Sequence, residues 1–155
     1  MDRTHSRTFR IMPTQTNMHH PLVFGGAFFS EMDMTAAICA KRFLFNSPTC
    51  SEAVTHKVLD LEFCRPTYLG DLIRINAEVV SVGKKSLNIV VKAYRETKRT
   101  FGGVNEGKIE TGMEYVAGGK FVFVSIASCE GVEDKPDLLP YAPHLIPHFD
   151  AQSEP

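Results

Sequence analysis

From Ala27 to Asn46 the chain has no glycine or proline, and it carries only four charges, Glu31, Asp33, Lys41 and Arg42. A segment so apolar around its circumference predicts a buried helix, opened by Gly25-Gly26 and closed near Phe45 by Asn46-Ser47-Pro48. Its acids lie toward the start and its bases toward the end, the order the helix macrodipole favours. Three-and-four spacing sets Asp33 on a face with Phe29, Ala36, Ala37 and Ala40, so its carboxylate is aimed at apolar neighbours. Glu31 reads as a plain surface acid.

Beyond the helix the period becomes two. From Ala53 to Phe63, Thr55, Lys57, Leu59, Leu61 and Phe63 alternate against Val54, His56, Val58, Asp60 and Glu62, which predicts a strand. Asp71 to Val82 predicts a second, with Ile73, Ile75, Ala77 and Val79 on one face. Gly83-Lys84-Lys85 is a turn, and Ser86 to Thr97 a further strand with Leu87, Ile89, Val91 and Ala93 inward. Lys120 to Ala127 is nearly continuous in apolar residues and belongs at the centre of a sheet or in an interface. Ahead of the helix, Thr8 to Met12 predicts a short strand ended by Pro13, with residues 1–8 as a polar lead.

Lys98 to Gly119 holds six glycines, and its middle, about 100–112, reads as an excursion from one end of the sheet. The tail, 134–155, holds five of the nine prolines and reads as extended. The plan is α+β: one domain over 9–133, a curved antiparallel sheet wrapped round one long central helix. Such a sheet leaves one helix flank and a sheet edge open, so a dimer that covers them is expected.

Charge and cysteine content narrow the partners. The 155 residues carry 17 basic and 18 acidic side chains, which gives no overall attraction to nucleic acid or an anionic membrane. No run approaches the roughly 18 apolar residues of a membrane span, and the first ten residues do not form a leader. The four cysteines have no CxxC spacing. A reduced, cytoplasmic protein is the expectation.

Met12-Pro13, Asn17, Phe24-Gly25-Gly26, Met32-Asp33, Phe63-x-x-Pro66-x-x-x-Gly70-Asp71, Val82-Gly83-Lys84-Lys85-Ser86 and Phe121-x-Phe123-Val124 occur in that order. Together they resemble the hot-dog-fold acyl-CoA thioesterases of the acyl-CoA hydrolase type, over roughly residues 9–140. The resemblance implies a helix wrapped by a curved sheet and sheets paired edge to edge in dimers that gather into tetramers or hexamers. It also implies sites at the dimer interface, an acyl-CoA substrate and no cofactor. An acid near the start of the central helix serves that family as base or nucleophile, and Asp33 is the matching position. The chain departs from the pattern between Asn17 and Phe24, where the usual glycine is missing and one residue is added.

Thioester hydrolysis needs a base or nucleophile, donors for an oxyanion and a hold on CoA. A carboxylate withdrawn from water is the stronger base, which suits Asp33. Helix-start amides at Gly25, Gly26 and Ala27 point outward unpaired and form a natural oxyanion hole, with the Asn17 amide to orient water or the carbonyl. Gly83, Lys84, Lys85 and Ser86, with Arg65, are candidates for the CoA phosphates. Phe24, Phe28, Phe29 and Met32 are candidates for the acyl pocket.

Plainer roles stand beside these. Asp33 is also suited to complement the helix dipole or pair with Lys57 or Arg65, and Lys84-Lys85 to be a solvated hairpin tip. His19-His20, even with His56, offers no recognisable third ligand, so no metal is expected. Cys39, mid-helix without a histidine partner, is a poor nucleophile. Two other functions remain open: a hydratase or dehydratase using His19 or His20, and a non-catalytic domain that binds and senses acyl-CoA.

Overall fold

The computed structural model describes residues 2–45, 51–100 and 109–127. Ile73, Ile75, Ala77 and Val79 alternate inward on one strand, and Leu87, Ile89, Val91 and Ala93 on the next, all at most 1% exposed. Both rows face a single helix, α1 (Gly25–Leu44), which buries Phe28, Met32, Ala36, Cys39, Ala40 and Phe43 against them. Burying each large apolar side chain contributes ~1.5–3 kcal/mol. Thr35, also fully buried, is satisfied within the helix by donating its Oγ1 hydrogen to the Glu31 carbonyl at 2.7 Å.

Among the described residues five antiparallel strands form the sheet: β1 (Thr4–Arg10), β2 (Ser51–Phe63), β3 (Leu72–Val82), β4 (Ser86–Thr100) and β5 (Ile109–Ala127). Their order across the sheet is β1-β3-β4-β5-β2, so β1 and β2 are its edges. This is the sheet-round-helix arrangement expected. The helix start lies at the end of the sheet marked by Arg10, Leu72, Arg95 and Ala117, and its last turn at the end marked by Thr4, Val82 and Ser51.

Two expected boundaries move. β1 begins at Thr4, not Thr8, so residues 4–8 are edge strand rather than lead. Its half-buried positions are His5, Arg7 and Phe9, and the first two meet charged groups of the helix, which hides the period. β5 begins at Ile109, and its pairing with β4 runs out to Thr100↔Ile109, so the ends of the expected 100–112 excursion are sheet. Residues 101–108 lie outside the described residues, as does the tail 134–155. Two glycines mistaken for loop signals are packing positions in β5. A Cβ on Gly118 would meet the Tyr115 hydroxyl and, at 3.1 Å, the Val91 carbonyl, and one on Gly119 would meet the Leu61 backbone at 3.3 Å.

β2 does not bury one face as its alternation implies. Bulges interrupt it at Thr55/Lys57 and Leu59/Glu62, and as an edge strand it leaves Val54, Leu61 and Phe63 exposed. On the outer face of the helix, toward β1, Met34 is 46% exposed and its sulfur meets Arg7 Nη1 at 3.3 Å, in a helix the sequence describes as buried nearly all round.

Candidate active site

The chain enters α1 through a strap, residues 16–24, tied to the loop 65–71. Val23 N–H donates to Thr67 O at 2.9 Å, Leu69 N–H to Pro21 O at 2.7 Å, and Leu22 bridges Tyr68. Asn17 is exposed and closes the strap on itself, its backbone N–H and its Nδ2 donating to Leu22 O at 2.9 and 3.2 Å. The 65–71 loop depends on Gly70, whose φ of +87° is a left-handed conformation other residues resist. Asp71 caps the turn by accepting the Tyr68 N–H at 2.9 Å. The Pro66-x-x-x-Gly70-Asp71 spacing thus has a structural cause.

Phe24 precedes the first turn of α1. Its carbonyl accepts the N–H groups of Ala27 and Phe28 at 3.0 and 3.1 Å, while those of Gly25 and Gly26 have no hydrogen-bond partner among the described residues. Ala27, expected with them as an oxyanion donor, is committed to this helical turn. Gly25 borders an open cleft of about 260 Å³ whose apolar lining includes Leu22, Val23, Phe28, Phe63, Val116 and Ala117, with Arg65 at its rim. The four acyl-pocket candidates divide. Phe28 lines the cleft and meets Phe63 edge-on at 6.0 Å. Phe24 is exposed, Phe29 stacks on Phe121 at 5.8 Å, and Met32 is sealed in the core.

The two acids of α1 have different surroundings. Both lie past the first turn, beyond the reach of the macrodipole. Glu31 is not a plain surface acid: its side chain is 16% exposed, ion-paired with Arg7 and hydrogen-bonded by Gln15 Nε2 at 3.1 Å. Asp33 is half-buried and accepts the Thr55 hydroxyl from β2 at 2.6 Å, with neither Lys57 nor Arg65 as partner. Thr55 was not singled out by sequence because it lies 22 positions from the acid it holds.

Arg65 is committed in part to Glu114, at 2.7 Å. Arg95 also contacts Glu114, through Nη2 and through Nε at 3.1 Å, and reaches Asp71 Oδ2 at 3.4 Å. The Arg95 hydrogen bond is the main cause holding the Glu114 carboxyl below the usual carboxylate range. Glu114 and Arg95 too escaped sequence reasoning, since neither lies in a motif.

Gly83, Lys84, Lys85 and Ser86 form the β3–β4 turn at the other end of the sheet, beside the last turn of the helix. Gly83 N–H is used within the turn, donating to Ser86 O at 2.8 Å, while Lys84 and Lys85 are exposed. One protomer therefore does not bring these lysines to Arg65; they lie at opposite ends of a helix about 30 Å long. His19 and His20 are exposed on the strap, and among the described residues no group of three or more His, Cys, Asp or Glu is placed to hold a metal ion. Burial pushes the Cys39 thiol up to about 11, so it is unreactive. No described helix is long and apolar enough to cross a membrane.

A sheet wrapped round one helix, with free helix-start amides over an apolar cleft, defines a hot-dog protein. The chain belongs to the Thioesterase superfamily, whose model matches residues 20–101. The acyl-CoA thioester hydrolase YciA of Escherichia coli is 32% identical over 83 residues, 54% of this chain and 58% of the relative. Among solved structures, an acyl-CoA hydrolase from Bacillus cereus is 28% identical, with a TM-score of 0.64 over 89% of this chain and 71% of that one. Cj0915, a hexameric hot-dog-fold thioesterase of Campylobacter jejuni, is 25% identical, with a TM-score of 0.61 over 84% of this chain and 86% of that one. The chain spans about half the length of the curated relatives it matches.

Proposed function

We propose that this protein hydrolyses acyl-CoA thioesters, with Asp33 as general base and the Gly25 and Gly26 amides as oxyanion donors. The observation that carries the reading is an acid held by one hydroxyl on an open helix flank, in a fold whose helix start offers free N–H groups over an apolar cleft. Asp33 takes a proton from water, and the oxygen attacks the thioester carbonyl carbon. The carbonyl π electrons move to oxygen, which the helix-start N–H groups stabilise, one such donor being worth ~3 kcal/mol. Collapse breaks the C–S bond, and the proton held by Asp33 passes to the departing CoA thiolate. Direct attack by Asp33, through a transient anhydride that water then opens, uses the same groups.

Asp33 lies eight residues along the helix from Gly25, a rise of about 12 Å, too far for both to serve one carbonyl within a protomer. A two-fold axis at the β2 edge resolves this, because it runs two helices antiparallel and sets the start of one beside the acid of the other. It also carries the Lys84-Lys85 end of one copy toward the Arg65 end of its partner, where both can meet CoA phosphates. Exposed Val54, Leu61 and Phe63 support self-association along that edge, and the hexameric Campylobacter jejuni relative supports higher assembly. Acyl-CoA is the substrate in this reading, with no cofactor, and the cytoplasm is the compartment.

Free CoA released from short to long acyl-CoAs tests the proposal. Turnover is expected, with a chain-length preference. Binding of acyl-CoA without release would replace the enzyme by a sensing module.

A further inference from the structure

Arg95 holds the 65–71 loop from two sides. Its Nη1 donates to the Pro66 carbonyl at 3.1 Å and to Asp71 Oδ2 at 3.4 Å, while Nε and Nη2 grip Glu114 on β5. The side chain is 22% exposed, so these contacts are only partly open to solvent. Glu114 passes the hold on, because its other oxygen accepts Arg65 at 2.7 Å. The loop in turn carries the strap: Thr67 O and Pro21 O accept across the two segments, and Asn17 closes on Leu22. Backbone bonds tie the strap and loop to the extension of β1, Phe24 N–H donating to Gln15 O at 2.8 Å and Ile11 N–H to Asp71 O at 2.9 Å, and the Arg95 guanidinium adds the side-chain link from β4. Glu114 joins the same three segments from the β5 side, through Arg95 and Arg65, so the two side chains form one clasp, and Arg95 is its member that reaches Pro66 and Asp71 directly.

We infer that Arg95 is a positioning residue, which sets the strap bearing Asn17, the helix start with Gly25 and Gly26, and the direction of the Arg65 cation. The inference rests on the thioesterase reading for its kinetic consequence and on geometry alone for its structural one. The planar fork of an arginine, with donors in three directions, suits this task, and a lysine is a single point donor that cannot reach all three acceptors.

The test uses the full chain and the variants Arg95→Ala and Arg95→Lys, with Arg74→Ala as control. Arg74 pairs with Glu96 at 3.3 Å, away from the loop. Backbone hydrogen exchange should quicken in residues 16–24 and 65–71 of both Arg95 variants while residues 36–44 keep the wild-type rate. With acyl-CoA, kcat should fall by about 100-fold, the order that a misplacement of about 1 Å costs, with KM changed less. Guanidinium at a concentration too low to denature should restore part of the kcat of Arg95→Ala and none to Arg65→Ala. Exchange that is unchanged, or faster throughout the chain, overturns the inference, as does a kcat within about twofold of wild type. If Arg95→Ala does not fold, Arg95→Lys and Glu114→Gln decide on the same readouts. An inactive wild type would sink the thioesterase reading, and the exchange pattern would still decide what Arg95 does.

Discussion

Glu31 and Asp33 stand two residues apart on one helix and point to opposite flanks, about 200° apart around the axis. Glu31 faces β1, where Arg7 and Gln15 occupy both its oxygens. Asp33 faces β2, where the Thr55 hydroxyl holds one oxygen and the sheet edge beyond it is unpaired. A carboxylate gripped at both oxygens by a guanidinium and an amide is turned toward those partners and tied in place. One anchored by a single neutral hydroxyl is oriented and still free to act. In the proposed reading the two sheet edges have different work: the β1 edge closes the protomer, and the β2 edge leaves Asp33 for a second copy to enclose.

The largest effect should come from dividing the site between copies. Asp33→Ala and Asn17→Ala are each expected to lose about 100-fold or more in CoA release, Asp33 as the base and Asn17 as the side chain that closes the strap leading to the Gly25 and Gly26 amides. When the two are mixed and allowed to exchange subunits, about a quarter of wild-type activity should return, since half the dimers then hold one intact site. No recovery after exchange would place Asn17 and Asp33 in the same copy. Next, Glu31→Gln should lower stability by about 2 kcal/mol in denaturant unfolding, the scale of hydrogen bonds to charged groups. Thr55→Val should leave unfolding unchanged within experimental scatter and lower kcat by about tenfold, as loss of one orienting hydrogen bond implies. The smallest effect is on acid stability. Because Arg95 holds the Glu114 carboxyl low, its contribution is intact above the ordinary carboxylate range and is lost as pH falls toward the lowered value. Melting temperature against pH should therefore decline less steeply in acid for Glu114→Gln than for the wild type.

β3 and β4 were legible because each turns one face to one helix, so Ile73 to Val79 and Leu87 to Ala93 alternate cleanly. β1 was not, since its inward positions are His5 and Arg7, polar residues whose partners Arg42 and Glu31 come from the helix. Half of β5 was hidden by Gly112, Gly118 and Gly119, which read as loop signals and act as places of close approach. The Phe24-Gly25-Gly26 and Gly70-Asp71 motifs were visible as motifs, and their reasons, two free amides and a positive φ, needed the backbone. The two acids could not be told apart by spacing, because Arg7 lies 24 positions before Glu31 and Thr55 22 after Asp33. Topology, not local pattern, decides which acid meets a cation.

The most direct measurement is steady-state CoA release by Asp33→Ala and Glu31→Gln side by side, each compared with wild type at a temperature well below its unfolding midpoint. Asp33→Ala should lose at least about 100-fold in kcat while Glu31→Gln keeps turnover of the wild-type order. Loss of turnover in Glu31→Gln with Asp33→Ala still active would contradict Asp33 as the general base.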